Sequence, residues 1–175
     1  RRGLVPQASG GDAPAGADPR RSACRRSSVA VAPRAARAGR GGSAPGTASS
    51  REQLARQVAS ARGVDLAIAS TERKGHGTTL ARAFLAAGHD VVIAWGGDGT
   101  VNEVAGPLIG SSAALGIVPG GSGDGLARSL ALPKSPALAL ARAFSGATSR
   151  IDVGYFGDRH FLNVAGVGFD AVVAG

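Results

Sequence analysis

Apolar positions in this chain fall into short runs separated by glycine, and the runs alternate between two periods. Residues 91–95 (VVIAW) form an unbroken, largely β-branched run, as expected of a strand covered on both faces in a parallel sheet. Residues 64–70 alternate into a second strand with Thr71 just past its carboxyl end, residues 115–118 give a third, and residues 28–32 (SVAVA) a first short one. Between them the spacing turns helical. Residues 51–62 carry Leu54 and Val58 four apart and stop at Gly63; residues 78–87 stop at Gly88. A helix restarts at Thr100, whose spacing to Glu103 is that of a capping box, and breaks at Gly106-Pro107. Residues 126–130 restart helically after the third run, and residues 137–144 form a helix opened by Ser135-Pro136 and closed by Gly146. Residues 150–156 and 160–164 predict a hairpin turning at Gly157-Asp158. Alternating strands and helices imply an α/β fold: a Rossmann-like, mainly parallel sheet with helices on both faces and ligands at the carboxyl ends of its strands.

Two glycine-rich loops follow two of these strands and would open on the same edge. In the first, Gly96, Gly97, Asp98, Gly99 and Thr100 precede a helix start, so backbone amides and a positive helix end face a bound anion. The second is residues 119–125, PGGSGDG. Neither is a P-loop, because G-x-x-x-x-G-K-[ST] is absent; neither is the dinucleotide fingerprint, because Asn102 stands where the third glycine belongs. Asp98 is the chemical oddity. A carboxylate beside phosphate repels it unless a divalent cation lies between them or the carboxylate takes a proton from an attacking hydroxyl, and both roles point to phosphoryl transfer. The plainer role, a turn aspartate satisfying nearby amides, stands beside them.

The charge of +8 over 175 residues changes meaning once it is divided. Residues 1–50 hold nine Arg against Asp12 and Asp18, net +7, whereas the rest holds eleven Lys/Arg against ten acids, net +1. The basicity belongs to an Arg/Ala/Gly-rich leader, residues 1–48, expected to be mostly disordered, and nucleic acid is not the expected partner. Residues 49–175 are expected to be the folded unit. A single Cys24 excludes an internal disulfide framework, and no run reaches the roughly 18 apolar residues that cross a bilayer. The chain has no Met and stops inside an apolar stretch at residues 171–175, so a piece of a longer protein is expected.

Residues 96–104 (GGDGTVNEV), 119–130 (PGGSGDGLARSL) and 161–171 (FLNVAGVGFDA), with Thr71 shortly before Gly75-His76, together resemble the diacylglycerol kinase catalytic domain family, which includes bacterial lipid kinases, sphingosine kinases and ceramide kinase. The resemblance implies an ATP-dependent lipid kinase on the NAD kinase/phosphofructokinase-like superfold, with a C-terminal β-sandwich domain absent from this chain. It further implies ATP contacts from Thr71, Gly96, Gly97, Asp98, Gly99, Thr100, Val101, Asn102 and Ser122. Asp98 would lie near Mg2+ or the attacking hydroxyl of a lipid, a diacylglycerol or sphingoid base, in a cytoplasmic enzyme peripheral to the membrane. Asp170, in the Phe-Asp-Ala match, would assist metal or structure.

This chain departs from the family pattern in three places. Ala32-Pro33-Arg34 replaces the Asn-Pro that usually ends the first strand, Asp124 replaces an Asn and adds negative charge beside phosphate, and Ala105-Gly106-Pro107 replaces a continuing helix. Two rivals remain: a kinase of NAD, and a nucleotide-binding module without catalysis. His76 reads as a loop polar residue, Trp95 as core, and Arg128 as a phosphate-facing or solvated helix residue.

Overall fold

In the computed structural model, residues 27–32, 50–145 and 147–163 are described. Residues 91–96 form the strand that carries the first glycine loop, and three other strands flank it in parallel. In chain order these are β1 (Ser27–Ala32), β2 (Asp65–Ser70), β3 (Val91–Gly96) and β4 (Ala114–Pro119), arranged β2-β1-β3-β4. β1 pairs with both β2 and β3, so the run at 28–32 is a central strand, and the sheet reaches back to Ser27. The chain leaves β1 for a neighbour on one side and β3 for a neighbour on the other. The carboxyl ends of β1 and β3 therefore flank a topological switch point, where sheets of this class bind ligands.

The sheet is covered on both faces, as the apolar run at 91–95 predicts. Val92 and Ala94 point into one core with Ile117 of β4 and with Ala81, Val101, Val104, Leu108, Leu126 and Ala127. These last come from α2 (His76–Ala86), α3 (Asp98–Leu108) and α4 (Gly125–Ser129). Ile93, Trp95 and Val118 point the other way, into a core closed by Ala55 and Ala59 of α1 (Ser50–Ser60), Ala139 and Leu140 of α5 (Pro136–Ala143), and Phe144. Trp95 is core, as its sequence context predicts, and Arg51 stacks over its ring at 5.6 Å.

Helix ends follow glycine chemistry. Gly63 and Gly88, with φ of 61° and 82°, sit where the left-handed residue of a Schellman turn belongs. The next amides, Val64 and His89, return to Ala59 O and Phe84 O at 3.0 and 3.1 Å. α4 closes in the same way on Ala131 at φ 50°, where the side chain costs about 1–2 kcal/mol that a glycine would not.

Two readings of the sequence change. The helix after the first loop does not break at Gly106-Pro107 but runs to Leu108. Pro107 lacks the N–H that would bond Glu103 O, and the Thr78 hydroxyl donates to that carbonyl instead, at 3.0 Å, so the missing bond leaves no orphan. The hairpin is also shorter than its apolar stretches. Among the described residues only β5 (Gly154–Phe156) and β6 (Arg159–Phe161) pair, across the turn at Gly157-Asp158. The hairpin docks on α3 through His160, whose Nε2 lies 2.9 Å from Asn102 O and whose ring covers Gly106. The predicted stop at Gly146, the Pro33-Arg34 turn, Cys24, Asp170 and the leader apart from β1 lie outside the described residues.

Candidate functional site

Both glycine loops reach the carboxyl edge of the sheet side by side, because β3 and β4 pair in register up to Gly96 and Pro119. Their backbones touch. A Cβ on Gly121 would lie 2.5 Å from the Cα of Gly97, and a Cβ on Gly120 would press on the Trp95 indole at 3.3 Å. Gly96 is restricted by its own loop, since a Cβ there would meet the Thr100 side chain at 2.9 Å. The glycines at 97 and 121 thus serve approach between two main chains rather than an unusual φ.

α3 starts at Asp98 with Gly97 as its N-cap, two residues earlier than the capping-box spacing predicts, and among the described residues no side chain caps it. Glu103 does not fold back on its own helix. Its Oε1 accepts the Gly75 amide at 2.8 Å and its Oε2 the Gly77 amide at 3.1 Å, at the start of α2, where the N-cap Gly75 offers no side-chain acceptor. Two bare amides at another helix end compete better for the carboxylate than one amide within α3.

Asp98 points across to the second loop. Its Oδ2 accepts the Gly125 amide at 3.0 Å and its Oδ1 the Leu126 amide at 3.2 Å, so it caps α4 and ties the loops together. Asp124 sits at φ 47°, a left-handed conformation that Asn and Asp tolerate best, and its Oδ1 accepts the Gly121 amide at 2.9 Å and the Gly120 amide at 3.4 Å. Three carboxylates therefore hold this edge together, each through a pair of amides. The first turn of α3, with the amides of residues 97–100, is the helix start between them that no side chain caps among the described residues.

The other residues singled out from the sequence separate into groups. Ser122 is exposed and lines an open cavity of about 610 Å³ with residues 119–121, Asp124, Arg128 and Lys134, which sets Arg128 on the loop side. Asn102 lines a second cavity of about 310 Å³ with Asp98, Leu126, Phe161, Leu162 and Asn163, and its buried Oδ1 has no hydrogen-bond partner among the described residues. Val101 is buried, its amide bonded to Gly97 O at 3.1 Å; its side chain also edges that second cavity. Thr71 is buried at the end of β2, two strand spacings from β3, or about 10 Å. His76, expected in a loop, is instead the first residue of α2, and its Nδ1 accepts the Glu72 amide at 3.1 Å.

Sequence reasoning missed Glu103 as a bridge between elements, His160, and Asn163, whose side chain lies over Gly125. Glu103 and Asn163 fall in segments singled out beforehand, at 96–104 and 161–171, but neither was assigned these contacts. Residues 164–171 of the second segment lie outside the described residues. Among the described residues no three His, Cys, Asp or Glu side chains gather closely enough to hold a metal ion by themselves.

The model of the diacylglycerol kinase catalytic domain matches residues 41–156. The chain belongs to this family. A protein of Chromohalobacter salexigens named "Probable lipid kinase YegS-like" is 44% identical over 115 residues, covering 63% of this chain and 37% of the relative. A diacylglycerol kinase of Staphylococcus saprophyticus is 36% identical over 108 residues, covering 61% of this chain and 35% of its own length. The crystal structure of a diacylglycerol kinase from Bacillus anthracis superimposes with a TM-score of 0.63 at 28% identity, over 79% of this chain and 46% of that one. The chain thus spans less than half the length of the relatives it matches. In this diacylglycerol kinase family member, Asp124 holds its loop with one carboxylate oxygen, a task that an Asn side-chain oxygen performs equally well.

Proposed function

We propose that this chain is the nucleotide-binding part of an ATP-dependent lipid kinase, which moves the γ-phosphate of ATP to a lipid hydroxyl. The observation that carries the reading is the pair of touching glycine loops around the uncapped first turn of α3. The starts of α2 and α4 already hold Glu103 and Asp98, so the polyphosphate finds its open amides at residues 97–100. Thr71 would contact the nucleotide about 10 Å away, a reach suited to an extended nucleotide lying across the switch point. Thr100 and Ser122 would donate hydroxyl hydrogen bonds to phosphate oxygens, with Arg128 and Lys134 supplying positive charge on the side of the second loop.

In the transfer, the acceptor oxygen attacks phosphorus, the bond to the bridging oxygen breaks, ADP leaves, and the hydroxyl proton passes to a base. Asp98 is the residue proposed to serve this step, as base or as organiser of Mg2+. Mg2+ is taken by one or two carboxylates together with substrate phosphates, and Asp98, whose Oδ2 borders the second loop, fits that donor set; bound there, the ion would neutralise phosphate charge. The acceptor's headgroup would enter the cavity lined by Asp98, Asn102 and Asn163. The leader at 1–48 apart from β1, the catalytic unit at 49–175, whose sheet β1 completes, and peripheral membrane contact in the cytoplasm belong to the same proposal. No described helix is long and apolar enough to cross a membrane.

Titration of the chain with Mg-ATP, followed by phosphate transfer assays on the longer protein with diacylglycerol, sphingoid base or NAD as acceptor, tests the reading. Lipid phosphorylation is the expected result. Phosphorylation of NAD with no lipid product, or no ATP binding at all, would overturn it. Asp124→Asn provides a graded check: the loop acceptor stays while one negative charge leaves. ATP affinity is expected to rise about two- to fivefold at low salt and to converge on the parent value as salt screens the charge.

A further inference from the structure

We infer that Glu103 is a positioning residue that locks the segment carrying Thr71 to the glycine loop of α3, so that both ends of the nucleotide site are held as one piece. The inference rests on the nucleotide-binding reading above and concerns how the site keeps its span. Thr71 follows β2 and Gly96 ends β3, with β1 between those strands, so neighbouring-strand pairing does not join the two loops directly. Glu103 supplies that link. It stands one helical turn beyond Thr100, its two carboxylate oxygens each accept an amide of the 75–77 turn, and its carbonyl accepts the Thr78 hydroxyl.

The site around it is shaped for this carboxylate. A Cβ on Gly77 would lie 2.9 Å from Glu103 Oε2 and 3.1 Å from Glu103 Cβ, so a side chain at 77 would expel the acid. Gly75 turns at φ 81° and caps α2 without any side-chain oxygen of its own, leaving its first amides to the partner helix. Pro107 leaves the Glu103 carbonyl open to Thr78 by removing its helical donor. Charge-assisted bonds to a bidentate acceptor are stiff, and the negative charge also repels phosphate from the start of α2 and so favours the start of α3.

The test measures Mg-ATP affinity of the whole chain and amide hydrogen exchange at Gly75 and Gly77, for the parent, Glu103→Ala and Glu103→Gln. Gln accepts only one amide and turns an NH2 toward the other, with little change in size. The parent is expected to protect both amides. Glu103→Ala is expected to lose that protection and to bind ATP at least about tenfold more weakly, and Glu103→Gln to fall between. Protection elsewhere in α2 and α3 should persist, which separates lost positioning from unfolding. ATP binding by both variants equal to that of the parent would overturn this inference and leave the nucleotide reading standing. A parent chain that binds no ATP would overturn that reading and this one with it, whereas unprotected Gly75 and Gly77 in the parent would overturn the clamp alone.

Discussion

Gly121→Ala is expected to push the two glycine loops apart, destabilise the chain by about 1–3 kcal/mol and reduce ATP binding by at least about 100-fold. The added methyl would sit 2.5 Å from the Cα of Gly97 and 3.1 Å from Asp124 Oδ1. Neither neighbour is the free end of a long side chain: one is main chain, and the other is tied to the Gly120 and Gly121 amides. Relief therefore requires backbone movement at the place where the phosphates would bind. Gly99→Ala gives the contrast in stability. A Cβ there meets nothing within 4 Å, and alanine is worth up to about 1 kcal/mol over glycine within a helix. Urea denaturation of both variants, alongside nucleotide titration, decides the matter. Equal stability and equal ATP affinity for Gly121→Ala and the parent would show that the loops do not depend on their contact.

In the longer enzyme, Asp98→Asn is expected to lower turnover by about 10²–10⁴-fold with the fold retained. The geometry makes retention reasonable. The Asn oxygen can keep the half-buried Leu126 amide while the exposed Gly125 amide turns to water, a change worth about 1 kcal/mol. The two chemical roles divide by what else changes. A base lost at Asp98 lowers turnover at unchanged Mg-ATP affinity, whereas a lost metal organiser weakens that affinity and is partly rescued by raised Mg2+. Turnover and affinity both equal to the parent would reduce Asp98 to a cap on α4.

The order of strands and helices was legible because glycine punctuates this chain where its helices end, at Gly63 and Gly88, and where its strands open into loops, at Gly96 and Gly120. The unbroken apolar run at 91–95 also foretold a strand buried on both faces. What could not be read were the partners of acidic side chains. The Thr100–Glu103 spacing satisfies a local rule, yet the better acceptor task lay 26 and 28 residues away at Gly77 and Gly75. Asp98 likewise meets amides 27 and 28 residues on, a distance along the chain that no local pattern encodes. The break expected at Gly106-Pro107 failed for a tertiary reason too, since a threonine from α2 satisfies the carbonyl that proline leaves bare. Local spacing identified the residues that carry chemistry, and packing between elements decided what each of them holds.

The central place of β1 has a consequence for the order in which the chain can assemble. Its six residues pair on one side with β2, beginning 33 positions after Ala32, and four of them, residues 28–31, pair on the other with β3, which begins 59 positions after it. During synthesis β1 leaves the ribosome first and gains its second neighbour only when β3 follows. Until then the edge that later flanks the switch point stays open, and such non-local parallel pairing is slow to form. A chain begun at residue 41, where the family match starts, would make β2 and β3 but lack the strand that joins them.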